Sequence, residues 1–281
     1  MQSHHVNLPV ARIRYLEEGA EHPGTPVVLL HGGGLDSALL SWKHTLPALG
    51  RLRRVLALDW PGYGESTGPD GDYRLSALID VLHEFLEALE LPRVHLVGIS
   101  MGGGVAIGYT LAHPQRVDRV VLVDSYGLQT RAPVHELSFI VVHLPGLSRS
   151  LYAVMRRSRA VTRAALRPIF ADPEHITDDI VDEVYEVVRR PGAERPYGVF
   201  QRHEIRGRRL RTNYLSRLGE ISQPTLYVHG DKDTLVPLAA SQQGARLTPH
   251  GKLHVIDRCG HWPPRERSEE FNRVVATFLI G

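Results

Sequence analysis

A chain of 281 residues, 42% hydrophobic and 23% charged, suits one large α/β domain with an insertion and is too apolar for global disorder. A net charge of +2 gives no footprint for nucleic acid, and the single cysteine, Cys259, excludes an internal disulfide. No run approaches the roughly 20 apolar residues of a membrane span, and the first six residues lack a basic patch leading into an apolar core, so a cytoplasmic protein is expected.

Residues 12–17 read as an early edge strand. Residues 27–30, Val-Val-Leu-Leu, read as a strand buried on both faces. It ends in His31-Gly32-Gly33-Gly34. Glycines directly after a buried strand let main chain approach a ligand, and the N–H of Gly33 is the expected donor to an oxyanion; the alternative is a flexible turn. Asp36, Ser37 and Trp42 follow in a loop and helix and fit either the mouth of a site or plain surface. Residues 54–59 form a strand that runs into a turn punctuated by Pro61, Gly62 and Gly64. Residues 75–89 carry apolar side chains at helical spacing, and Pro92 ends that helix. Residues 94–99 are a strand leading into Gly98-Ile99-Ser100-Met101-Gly102, which fits G-x-S-x-G, and a helix follows to about residue 113. A serine held between glycines at a strand-to-helix turn is lifted above the sheet, where the helix start offers N–H groups and its positive dipole end. Residues 120–124 are a further buried strand.

Strand–helix alternation predicts an α/β fold with a mostly parallel sheet covered on both faces. Ligands gather beyond the carboxyl ends of such strands, and His31, Asp59, Ser100 and Asp124 all fall there. From residue 128 to 217 the buried strands vanish. Short helical stretches at 134–142, 150–157 and 178–190 are separated by Pro145-Gly146, Pro168 and Pro191-Gly192. This segment has 16 arginines, no lysine and 10 acidic residues. It is expected to be a helical cap, whose charge either attracts an anionic substrate or is solvated surface. The core is thus expected in two parts, 1–127 and 218–281. The second part has strands at 225–230 and 252–256 and a terminal helix at 266–279.

A serine hydroxyl needs a base, and the base an orienting carboxylate. Among 16 histidines, His261 follows the last strand in a short glycine-containing loop, so it can reach the rim. His229 and His254 lie inside strands and read as packing residues. For the carboxylate, Asp233 is preferred, with Asp231 and Asp124 as competitors.

The order Ser100, Asp233, His261 behind His31-Gly32-Gly33-Gly34 resembles the α/β-hydrolase superfamily, with Asp233 in Gly-x-x-Asp-x-x-Val-Pro. The resemblance implies Ser100 as nucleophile, His261 as base, Asp233 as acid, and the N–H groups of Gly33 and Met101 as the oxyanion hole. Gly34 and Trp262 are then expected beside a small-molecule substrate. A serine rather than an aspartate at the elbow argues against dehalogenase and epoxide hydrolase chemistry. The His-Gly-Gly-Gly loop and Gly260-His261-Trp262 are similar to the meta-cleavage-product hydrolases, which cut carbon–carbon bonds. The chain departs from them at Leu35-Asp36-Ser37, where Pro-Gly-Ala is usual, and at Ile99, where Asn is usual. The leading expectation is therefore a carboxylesterase of small esters acting through an acyl-enzyme. Carbon–carbon hydrolysis of a diketo acid is the alternative, and a non-catalytic receptor on the same fold is the reading from another class. No metal or organic cofactor, nucleic acid or membrane partner is expected; monomer and homodimer are both open.

Overall fold

Short runs of branched aliphatic residues find their stable place in the middle of a sheet covered on both faces. The computed structural model describes residues 1–68, 72–144 and 146–281, so Pro145, read above as a breaker, lies outside the described residues. The chain opens with β1 (Gln2–Asn7), β2 (Arg12–Glu18) and β3 (Val27–Leu30), then the short helices α1 (Ala38–Trp42) and α2 (Thr45–Gly50). It continues through β4 (Val55–Leu58), α3 (Leu75–Ala88), β5 (Val94–Ile99), α4 (Met101–Ala112) and β6 (Val117–Val123). Helices α5 (His135–His143), α6 (Leu147–Met155), α7 (Arg159–Leu166), α8 (Asp178–Arg189) and α9 (Arg195–Glu204) lie between β6 and β7 (Thr225–Gly230). The chain closes with α10 (Leu238–Leu247), β8 (Gly251–Ile256), α11 (Pro263–Glu266) and α12 (Ser268–Ile280).

The strands form one sheet in the order β1-β2-β4-β3-β5-β6-β7-β8, antiparallel from β1 to β4 and parallel from there on. Side-chain alternation sorts the core into two layers. Val28, Leu30, Leu56 and Leu58 point to one face, where they meet Leu78, Leu82 and Phe85 of α3 and Val105 of α4. Val27, Leu29, Val55 and Ala57 point to the other, against Trp42, Leu46, Phe271 and Val275 of the short helices and α12. The fold is the expected α/β-hydrolase architecture.

Residues 12–17 are not the edge. They are β2, and the edge is β1, paired from Gln2 against Glu17 to Asn7 against Arg12. The polar run Gln-Ser-His-His-Val-Asn has no apolar face to announce a strand; it is held by main-chain bonds to β2. Helices α2, α7, α9 and α10 have no counterpart in the sequence reading: each spans ten residues or fewer, which leaves an apolar stripe three turns at most in which to declare itself. Among the described residues, no helix is long and apolar enough to cross a membrane.

Candidate active site

The turn between β5 and α4 is built by close approach of main chain. A Cβ on Gly98 would come 2.4 Å from the carbonyl oxygen of Gly102, and one on Gly102 would come 2.2 Å from that of Leu30. Only glycine fits at either position. Ser100 between them takes φ 50° and ψ −118°, a left-handed conformation that a non-glycine residue adopts at a cost of about 1–3 kcal/mol. The strain is held by bonds from Ser100 N–H to Val123 O (2.9 Å) and from the N–H groups of Gly104 and Tyr126 to Ser100 O. Met101 is the first residue of α4, so its N–H has no acceptor within the helix.

Ser100, Gly33, His261 and Trp262 line one cavity of about 50 Å³, walled by Leu35, Ile99 and Ile169. Gly34 lines instead a neighbouring cleft of about 290 Å³ between residues 62–68 and the 190–196 segment, with Tyr63, Arg190 and Arg195 in its walls. Asp36 borders both. The ring of Tyr197 on α9 covers the glycine loop: a Cβ on Gly33 would lie 2.5 Å from it. Nothing in the sequence around Tyr197 signalled this. A larger cleft near residues 17–22 and 47–51 contains none of the residues singled out from sequence.

His261 Nδ1 lies 2.7 Å from Asp233 Oδ2. The other Asp233 oxygen accepts the N–H groups of Leu235 (2.7 Å) and Val236 (3.1 Å). Burial raises the Asp233 carboxyl pKa, but the His261 ring and these donors overcome it and hold the group below the ordinary carboxylate range. The competitors fall elsewhere. Asp231 accepts the N–H of Cys259 at 3.1 Å and pairs with Lys232 on the surface side. Asp124 is fully buried at φ 42° and accepts Gly230 N–H at 3.1 Å. Burial, then the charge of Asp233, push its pKa well above the carboxylate range. Of the pair, Asp233 is held toward its charged form and Asp124 toward its neutral form.

His229 is more than packing. Its Nε2 donates to Val236 O (3.0 Å) and lies 3.3 Å from Asp124 and 3.6 Å from Asp233. Its Nδ1 meets Ser241 Oγ at 2.8 Å. Asp124, His229 and Asp233 bring three potential metal ligands within 4.8 Å. Both His229 nitrogens and both Asp233 oxygens are already engaged, so the group reads as a proton network. His254, on the edge strand β8, is half-buried and ties that strand to α12 through Glu270 at 2.9 Å. Asp36, Ser37 and Trp42 are all buried rather than surface residues.

A strained serine and an imidazole on one cavity, with a carboxylate behind the imidazole, can make a hydroxyl nucleophilic, with main-chain donors for the negative charge that follows. The model of the alpha/beta hydrolase fold family matches residues 25–267. The chain is 32% identical to a 2-hydroxymuconate semialdehyde hydrolase from Pseudomonas sp. (strain CF600), covering 91% of this chain and 87% of that one. It is 31% identical to a 2-hydroxy-6-oxo-2,4-heptadienoate hydrolase from Pseudomonas putida, covering 92% and 90%. Among solved structures, a variant of the meta-cleavage product hydrolase from Pseudomonas fluorescens superposes with a TM-score of 0.81 at 29% identity, over 96% of this chain and 94% of that one.

Proposed function

The chain belongs to the α/β-hydrolase fold family, and on that premise we propose that it is a serine hydrolase that cleaves a carbon–carbon bond in a ring-opened, conjugated keto acid. The supporting observation is the similarity, at 31–32% identity along some nine-tenths of the chain, to enzymes named for such substrates. The ester reading drawn from the sequence has no comparable support.

In this proposal His261 takes the proton of Ser100 as the hydroxyl attacks the carbonyl carbon, and the N–H groups of Gly33 and Met101 hold the oxyanion. One such donor contributes roughly 3–4 kcal/mol. When the intermediate collapses, the bond to the neighbouring carbon breaks. Its electron pair passes into the conjugated chain that ends at the second carbonyl, and His261 returns the proton. Water then frees the acyl group from Ser100. Asp233 keeps the imidazole in the tautomer that accepts at Nε2. The 128–217 segment serves as the cap, and Arg190 and Arg195 in the cleft beside Gly34 are the candidates to meet the substrate carboxylate. A second reading, ester hydrolysis, needs only the serine, the histidine and the main-chain donors, without a group to meet a substrate carboxylate.

Purified enzyme should bleach the visible absorbance of a ring-opened catechol, with the Ser100→Ala variant slower by at least about a thousandfold. Turnover of p-nitrophenyl esters without any bleaching at high enzyme concentration establishes the second reading instead. Full activity in Ser100→Ala removes the serine mechanism altogether.

A further inference from the structure

Asp36 borders the cavity, yet it is none of the groups assigned above. Its Oδ2 accepts two donors, the N–H of Gly32 at 2.7 Å and the hydroxyl of Ser41 at 2.7 Å, and its Oδ1 accepts the N–H of Ser37 at 2.7 Å. Ser41 in turn accepts the indole N–H of Trp262 at 3.0 Å. Asp36, Ser41 and Trp262 are all buried. A continuous chain of hydrogen bonds therefore runs from the main chain of the glycine loop to the residue directly after His261. It joins segments 221 residues apart in sequence.

Geometry ties both ends to the chemistry. A Cβ placed on Gly32 would lie 3.0 Å from the Asp36 carboxylate and 3.4 Å from the Ser100 Cβ. The carboxylate thus sets how closely the glycine loop, and with it the Gly33 N–H, stands to the serine. At the other end Trp262 leads into α11, whose N–H groups at Arg265 and Glu266 bond to Trp262 O, both at 2.9 Å. The Trp262 main chain, one residue from His261, is fixed by these bonds, and its indole is fixed by Ser41. An ionised carboxyl accepts at both oxygens, whereas an amide would turn an NH₂ group toward one of the donors.

We propose that Asp36, through Ser41 and Trp262, is a positioning residue that holds the Gly33 oxyanion donor and the His261 loop in one shared register. The inference rests on the serine reading above and goes beyond it, because it assigns a single carboxylate to both halves of the machinery. It also gives a role to the Leu35-Asp36-Ser37 departure from the meta-cleavage pattern.

The test is the rate constant for labelling of Ser100 by a fluorophosphonate, which needs no knowledge of the substrate. Asp36→Asn is the direct variant. Ser41→Ala breaks the chain with little loss of volume, Trp262→Phe breaks it by removing the indole N–H at the cost of a smaller ring, and both remain informative if Asp36→Asn does not fold. Each should label about tenfold more slowly than the unaltered enzyme, and the Ser41→Ala/Trp262→Phe double variant should be no slower than either single one. With any substrate, kcat should fall while KM stays within about twofold. Labelling within twofold of the unaltered enzyme in the single variants, or a double variant slowed by the product of the two factors, overturns the coupling. Failure of the unaltered enzyme to label at all overturns the serine reading, and this inference with it.

Discussion

At the scale of single residues, the site turns on which of two neighbouring carboxyls carries the charge. Asp233 has the His261 ring at 2.7 Å and two main-chain donors; Asp124, in the same buried cluster, has one. Two carboxylates so close resist ionising together, and the charge favours the one with the imidazole and two N–H donors against it. Replacing Asp233 by Asn removes the acceptor that sets the imidazole tautomer. Turnover by Asp233→Asn should fall by about 10³ to 10⁴ while Asp124→Asn, whose carboxyl burial already biases toward the neutral form, stays within about tenfold. Steady-state kinetics of the two variants checks this, and equal losses would show that the charge is shared. The sequence pointed to Asp233 and His261 because each follows a strand end. It misjudged His229, since a histidine inside a strand looks like packing until the strand's partner is known.

At the scale of elements, β5, Ser100 and α4 form the unit most legible in sequence. Gly98 answers to Gly102 within the turn itself, which is why the pattern is legible locally, whereas Gly102 answers to Leu30 on the neighbouring strand β3. The unit also carries a hidden acid sensitivity. His95 on β5 is buried, and desolvation, opposed by Asp118 at 3.5 Å, pushes its pKa down to about 4. The unfolded value is about 6.5, so between pH 6.5 and pH 4 the unfolded chain binds the extra proton. The stability His95 contributes is complete above pH 6.5 and is lost as the pH falls to about 4, by about 3 kcal/mol. Urea denaturation at pH 7.5 and pH 4.5 should therefore show a smaller loss for His95→Gln than for the unaltered chain. Identical losses would mean that His95 is solvated in the fold. Periodicity also found α3 and α8, whose one-sided apolar stripes face the core. It failed for β1, where main-chain pairing to β2 supplies the hold.

At the scale of the whole molecule, the helical segment between β6 and β7 and the His261 loop share one clamp. The buried Glu266 accepts the N–H groups of Gly260 (2.7 Å), Ala171 (3.2 Å) and Asp172 (3.0 Å), and His261 N–H donates to Ile169 O at 2.7 Å. Glu183 of α8 adds a second tie, pairing with Lys43 and with Arg265. Glu266→Ala leaves three main-chain donors without their acceptor. It should cost about 3 kcal/mol or more, lowering Tm by several degrees, and reduce kcat because the histidine loop loosens with it. Calorimetry beside kinetics tests this; a lower Tm with unchanged kcat would confine the clamp to stability. None of these ties shows in sequence, because Glu266 and Ala171 are 95 positions apart and nothing local marks them as partners. What the sequence determined alone was the layered sheet, the serine turn and the strand ends after which Asp233 and His261 stand, since those follow from side-chain period and from glycine at close approaches. What only the tertiary structure decided was which acid meets the histidine, that Tyr197 covers the glycine loop, and that Asp36 binds that loop to Trp262. Such choices depend on distances of under 4 Å between segments far apart in the chain, and these distances exist only once the core has packed.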